Sequence, residues 1–123
     1  MNILKPPLIA VACAAALLSA PTLGEQVGPK QPQLECKTGP LTKVYGGTTW
    51  LLYSCDDNRS IVIVSAPGSP AAPFYFSYFP EAGGYHLSGE GTGDRAATDL
   101  AYKELVALTA KDIALLIADT KRH

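Results

Sequence analysis

The run TTWLLYSC (48–55), DDNR (56–59), SIVIVS (60–65) decides how this chain folds. Two apolar segments rich in β-branched residues flank Asp57-Asn58, a pair that tolerates positive φ, so the run predicts a tight β-hairpin. With Asp57 and Asn58 as the loop residues, Cys55 pairs with Ser60, Tyr53 with Val62 and Leu51 with Val64. Strand alternation then puts Trp50, Leu52, Ser54, Ile61, Ile63 and Ser65 on one face. Leu51, Tyr53, Cys55, Val62 and Val64 fall on the other. Both faces are apolar, so each needs a cover.

Immediately upstream, Gly46-Gly47 is a two-residue turn that accepts φ > 0, and it places residues 41–45 as a strand beside 48–55. Residues 34–37 suggest a short edge strand ended by Thr38-Gly39-Pro40. Residues 25–33 are polar and punctuated by Pro29 and Pro32, which predicts a flexible lead rather than an element. Downstream, Pro67, Pro70 and Pro73 cannot donate ladder hydrogen bonds, so residues 66–73 form a connection. FYFSYF (74–79) follows, with Phe74, Phe76 and Tyr78 on one side and Tyr75, Ser77 and Phe79 on the other. Residues 80–84 turn the chain into a shorter strand over 85–88. The sum is an antiparallel meander of four or five strands.

The last third changes period. Ala97, Leu100, Ala101, Leu105 and Leu108 recur at helical spacing, with Asp94 placed to cap the first turn. Thr109, followed three residues later by Asp112, marks a break and a second N-cap. A second helix over about 110–120 carries the stripe Ile113, Leu116 and Ile117, with Leu115 off it. Helices that follow the strands rather than alternating with them give an α+β fold. They cover one face of the sheet. The other is left to the N-terminal segment, pinned through Cys36 and Cys55, or to a second molecule.

At 123 residues, the chain holds one α+β domain (34–123) behind a targeting segment. Residues 1–24 carry Lys5, an apolar stretch over 8–18, and small residues at Thr22 and Gly24, the three parts of a secretory signal. A lipoprotein signal ending at Cys13 is the alternative, though the residue three before it is Ala10. A retained span is disfavoured, because the apolar run falls short of about 20 residues. Removing 1–24 takes away Lys5 and no acid, so ten basic residues become nine against eleven acidic ones, and the net charge moves from −1 to −2. Without a basic patch, nucleic acid and an anionic membrane surface are not expected partners. Two cysteines remain, and in an exported domain Cys36 and Cys55 are expected to form one disulfide. Its closure is worth about 3 kcal/mol in the chain-entropy model. With no C-x-x-C pair, and only His86 and His123 as imidazoles, neither a metal nor a cofactor is expected.

Four clusters bear on chemistry. GEGTGD (89–94) resembles a phosphate-cradling turn in its glycines, but Glu90 and Asp94 put negative charge where phosphate would sit. A loop ending in an N-cap is the better reading. His86, with Glu90 or Asp94, is the one acid–base combination available to a small hydrolase. Residues 56–59 place two carboxylates side by side, which turn chemistry explains. The aromatic set Tyr53, Tyr75, Tyr78, Phe79 and Tyr85 exceeds what one helical layer easily buries, and tyrosine suits surfaces that meet a partner. The expectation is therefore a small exported, non-catalytic domain, periplasmic or secreted, that binds an unknown protein partner or self-associates as a homodimer through an aromatic sheet face. The alternatives are the hydrolase and a carrier for a small apolar ligand held between sheet and helices.

Overall fold

The computed structural model describes residues 33–123; the signal segment, the alternative lipidation point at Cys13 and all but the last residue of the lead lie outside the described residues. Five strands and two helices follow in order: β1 (Thr38–Tyr45), β2 (Thr48–Ser54), β3 (Ile61–Ser65), β4 (Phe74–Glu81), β5 (Gly84–Gly91), α1 (Arg95–Val106) and α2 (Ala110–Thr120). The strands form one antiparallel sheet in the order β1-β2-β3-β4-β5. This is the α+β meander with C-terminal helices, closed by the Cys36–Cys55 disulfide.

The central hairpin has the expected register, with Leu51 opposite Val64 and Tyr53 opposite Val62. Its loop is longer than two residues. The strands stop at Ser54 and start again at Ile61, and the Asn58 N–H donates to the Cys55 carbonyl at 3.1 Å. Asn58 takes φ +57, which its short polar side chain tolerates. The Asp57 carboxylate accepts from the N–H groups of Arg59 and Ser60 and from the Ser60 hydroxyl. Asp57 is therefore consumed by the turn, while Asp56 Oδ1 accepts from the Glu35 N–H at 3.4 Å.

At the next turn, Tyr45 lies opposite Thr48, and Gly46 and Gly47 take φ +60 and +79, the twist that suits a two-residue hairpin. Residues 34–37 are not a strand; β1 instead starts at Thr38, its register shifting between Thr38 and Leu41 across Gly39-Pro40. Glu35 is held by its carbonyl, which accepts from the Asp56 N–H at 2.8 Å. The final strand is longer than its composition suggests, because Gly89, Glu90 and Gly91 pair fully with Phe76, Tyr75 and Phe74.

The helices cover the Trp50 face. Trp50, Leu52, Ile61 and Ile63 are fully buried there, with Phe76 at 2% exposure. The Trp50 indole N–H donates to the Tyr45 carbonyl and the Thr48 hydroxyl, so the largest side chain of the core leaves no polar group unmet. Asp94 caps α1 by accepting from the Ala96 N–H. Thr109 and Asp112 form a reciprocal capping box at α2. The C-terminal end of α2 is pinned to β2, where the buried hydroxyls of Ser54 and Thr120 lie 2.6 Å apart.

Leu100 departs from its expected place in the core and is 52% exposed. The cause is the Gly46 turn. A Cβ on Gly46 would lie 2.7 Å from the Leu100 carbonyl carbon and closer still to the Ala101 nitrogen, so α1 sits with its backbone on the turn. That contact favours the small side chains of Ala97 and Ala101 and rolls Leu100 outward.

Candidate functional site

The face of the sheet away from the helices is apolar as well. Its central rows are Leu51 and Tyr53 on β2, Val62 and Val64 on β3, and Tyr75, Ser77 and Phe79 on β4. Val44 on β1 is 62% exposed, Tyr75 42% and Phe79 40%, while Tyr53, Leu51, Val62 and Val64 are half-buried. On β5, His86 lies opposite Phe79, Ser88 opposite Ser77 and Glu90 opposite Tyr75. Cross-strand pairing satisfies the polar members. The Tyr75 hydroxyl donates to Glu90 Oε1 at 2.8 Å, and the hydroxyls of Ser77 and Ser88 lie 3.1 Å apart. Hydrogen bonding to Glu90 and the charge of that carboxylate raise the Tyr75 pKa, which keeps the phenol protonated.

The five candidate partner-binding aromatics do not form one set. Tyr53, Tyr75 and Phe79 share the open face. Tyr78 lies on the helix-covered face with 3% exposure, and Tyr85 stands edge-on to it at 6.2 Å between ring centroids. Alternation along a strand separates Tyr78 from its neighbours Tyr75 and Phe79, and pairing with Pro80 carries Tyr85 to the Tyr78 side.

The acid–base candidates are not assembled either. His86 and Glu90 point the same way but stand four residues apart on one strand, about 13 Å along it, and Glu90 is engaged by Tyr75. Asp94 belongs to the α1 cap. The glycine run 89–94 has a packing explanation. A Cβ on Gly89 would lie 2.8 Å from the rings of Phe74 and Phe76, so its absence lets those rings lie across β5. The N–H groups of Thr92 and Gly93 donate to the Pro73 carbonyl, and that of Asp94 to Pro70. The donors that a phosphate would need are already used. Among the described residues, no three His, Cys, Asp or Glu side chains gather as metal ligands, and no helix is long and apolar enough to cross a membrane.

Two hollows had no signal in the sequence, because each arises where distant segments meet. One, of about 570 Å³, lies between the 66–73 connection and the end of the open face, where Val64, Tyr75 and Glu90 meet Pro67 and Pro73. The other, of about 490 Å³, lies at the far end of the covered face, between the β4–β5 turn and the α1–α2 junction. Tyr78 is one of its lining residues. Burial pushes the Tyr78 pKa well above the ordinary phenol value, and Tyr45, Tyr102 and Asp112 add to the rise. Burial likewise lifts Tyr45 to about 12, with Glu104 contributing. Among the described residues the Tyr78 hydroxyl has no hydrogen-bond partner. A buried donor in that condition costs roughly 1–3 kcal/mol.

No family model, curated protein or solved structure matches the chain.

Proposed function

We propose that this is a small exported, non-catalytic domain, periplasmic or secreted, that binds protein through the open face of its sheet, with a second copy as the occupant. The observation that carries the reading is a sheet apolar on both sides whose two helices cover only one of them. Among the described strands two acids fall on the open face, Glu90, whose carboxylate is tied to Tyr75, and Glu81 at the very end of β4, so a like surface meets repulsion only at its β4–β5 margin.

Area sets the strength. Five strands about 4.8 Å apart, each presenting five to eight residues at about 3.3 Å, give roughly 500 Å² per copy. Two such faces packed together bury about 1,000 Å², the lower bound for a specific interface. The association is therefore weak and depends on concentration. Export is supported by the leader-like composition of residues 1–24 and by a disulfide, which oxidising compartments maintain.

The test uses the chain expressed with its own N-terminal segment and kept oxidised. Light scattering over a concentration series is expected to show a monomer–dimer equilibrium. Replacing Tyr75 and Phe79 together with Ser should leave a monomer of unchanged circular dichroism. A wild-type chain that stays monomeric at the highest soluble concentration sinks the second-copy reading. N-terminal sequencing of protein from the envelope fraction is expected to show a cut after Gly24; an uncut chain in the cytoplasm removes the export half.

A further inference from the structure

The connection between β3 and β4 is longer than a hairpin requires, yet it is held in place. β3 ends at Ser65 and β4 begins at Phe74, which leaves eight residues where about two to five suffice. The Ser69 N–H donates to the Ala66 carbonyl at 3.0 Å, and the Ala72 N–H to the Ser69 carbonyl at 2.9 Å. The hydroxyls of Ser65 and Ser69 accept from the N–H groups of Phe74 and Ala71, and Ala71 is fully buried. The Pro73 carbonyl accepts from Thr92 and Gly93 just beyond β5. Pro67, Ala72 and Pro73 therefore form a fixed wall of the 570 Å³ hollow, facing Val64, Tyr75 and Glu90. That volume falls within the range of small-molecule sites, which are largely preformed.

The walls are apolar apart from one strong feature. Glu90 is the only charged side chain that lines the hollow, and no lining residue is basic. The Tyr75 hydroxyl fixes one carboxylate oxygen, Oε1, at 2.8 Å. Among the described residues Glu90 enters no ion pair. We propose that this hollow binds a small primary amine with a short aliphatic tail, its ammonium donating to the Glu90 carboxylate and its tail lying against Val64, Pro67 and Pro73. The carboxylate only accepts, so the ligand must bring donors, and an ammonium brings three together with the opposite charge. A neutral apolar guest would strip water from Glu90 and return nothing. An anion would be repelled, with no base in the lining to offset it. One carboxylate calls for one positive charge. The proposal does not rest on the second-copy reading, because one chain carries the whole site. Tyr75 and Glu90 belong to both surfaces, so the amine and a docked copy compete for them.

The experiment uses the oxidised full chain, diluted until light scattering gives a monomer. It is titrated at neutral pH and low salt with hexylamine, 1-hexanol and hexanoate while methyl resonances are followed by NMR. Hexylamine is expected to give saturable shifts at Val64 and Ala72 and to bind about threefold more tightly than 1-hexanol, the size of an exposed ion pair. Hexanoate should bind most weakly, and added salt should narrow the gap between amine and alcohol. Glu90→Gln keeps the shape and an acceptor for Tyr75, and should bring hexylamine and 1-hexanol level. Equal binding of those two by the unaltered chain, a preference that survives Glu90→Gln, tighter binding of hexanoate, or no saturable shift at Val64 and Ala72 overturns the proposal. A chain that binds hexylamine but stays monomeric at every concentration supports this site and removes the second-copy reading; one that dimerises on concentration but binds no amine does the reverse.

Discussion

The two faces of the sheet are built from nearly the same side chains and live in different surroundings. On β3, Ile61 and Ile63 are fully buried under the helices while Val62 and Val64, one residue along, are half-buried on the open side. On β4, Phe76 is 2% exposed and Tyr75 beside it 42%. Hydrophobicity along these strands does not tell the faces apart. What separates them is that α1 and α2 supply one apolar layer, enough for one face. The lesson is that an apolar strand pattern states a need for burial without saying what meets it.

The sharpest way to break the comparison is to truncate neighbours across it. Phe76→Ala should cost about 3–5 kcal/mol, because it removes a ring packed against Trp50 at 5.3 Å and leaves a cavity. Tyr75→Ala, one residue away on the open face, should cost under about 1 kcal/mol. Urea midpoints at constant slope measure both, and equal losses would mean that the open face is as well covered as the other.

Next in size is the disulfide. Replacing Cys36 and Cys55 together with Ser should lower stability by about 2–4 kcal/mol, with the Thr38–Gly39–Pro40 end of β1 losing amide protection before the β3–β4 pair. Uniform loss of protection would place the whole sheet under its control.

The attachment of the helical layer can be probed at the buried Ser54–Thr120 pair. Thr120→Val should cost about 1–3 kcal/mol by leaving the Ser54 hydroxyl unmet, while the double change with Ser54→Ala should recover most of that loss. A strictly additive thermal-melt cycle would show that this contact does not hold the layer down.

The smallest effect is acidic. In Asp57, desolvation raises the pKa, but hydrogen bonds from the Ser60 side chain and from the Arg59 and Ser60 N–H groups outweigh it, so the folded value is lowered. In Asp112, the Thr109 N–H and hydroxyl hold the value down. Each group then binds fewer protons folded than unfolded near pH 4. Its contribution is present above the unfolded pKa of about 3.9 and is lost as pH falls through the depressed folded value. Asp57→Asn and Asp112→Asn should each flatten the fall of stability below about pH 4, read from denaturation midpoints across that window.

Much of the architecture was legible because local chemistry and global fold agree. The Leu51–Val64 register, the Gly46-Gly47 turn, the Thr109 cap and the Cys36–Cys55 pairing rest on period, turn residues and parity, which adjacent residues express. The extent of β5 was not legible. Its glycines lack strand propensity, and it is extended because β4 pairs with it and the Phe74 and Phe76 rings lie over Gly89. Leu100 lies outside the core for a similar reason, since helical period identifies a stripe but not how far the backbone contact at Gly46 rotates it.

By itself the sequence determined an α+β chain with one cysteine bridge and a β-layer apolar on both sides. Those properties follow from the spacing of side chains along the backbone. Only the tertiary structure decided which side is covered, how Tyr53, Tyr75 and Phe79 part from Tyr78 and Tyr85, and that the buried Tyr78 hydroxyl has no partner among the described residues. Those outcomes depend on where two rigid helices come to rest on a twisted sheet, and that is set by contacts between residues far apart in the chain.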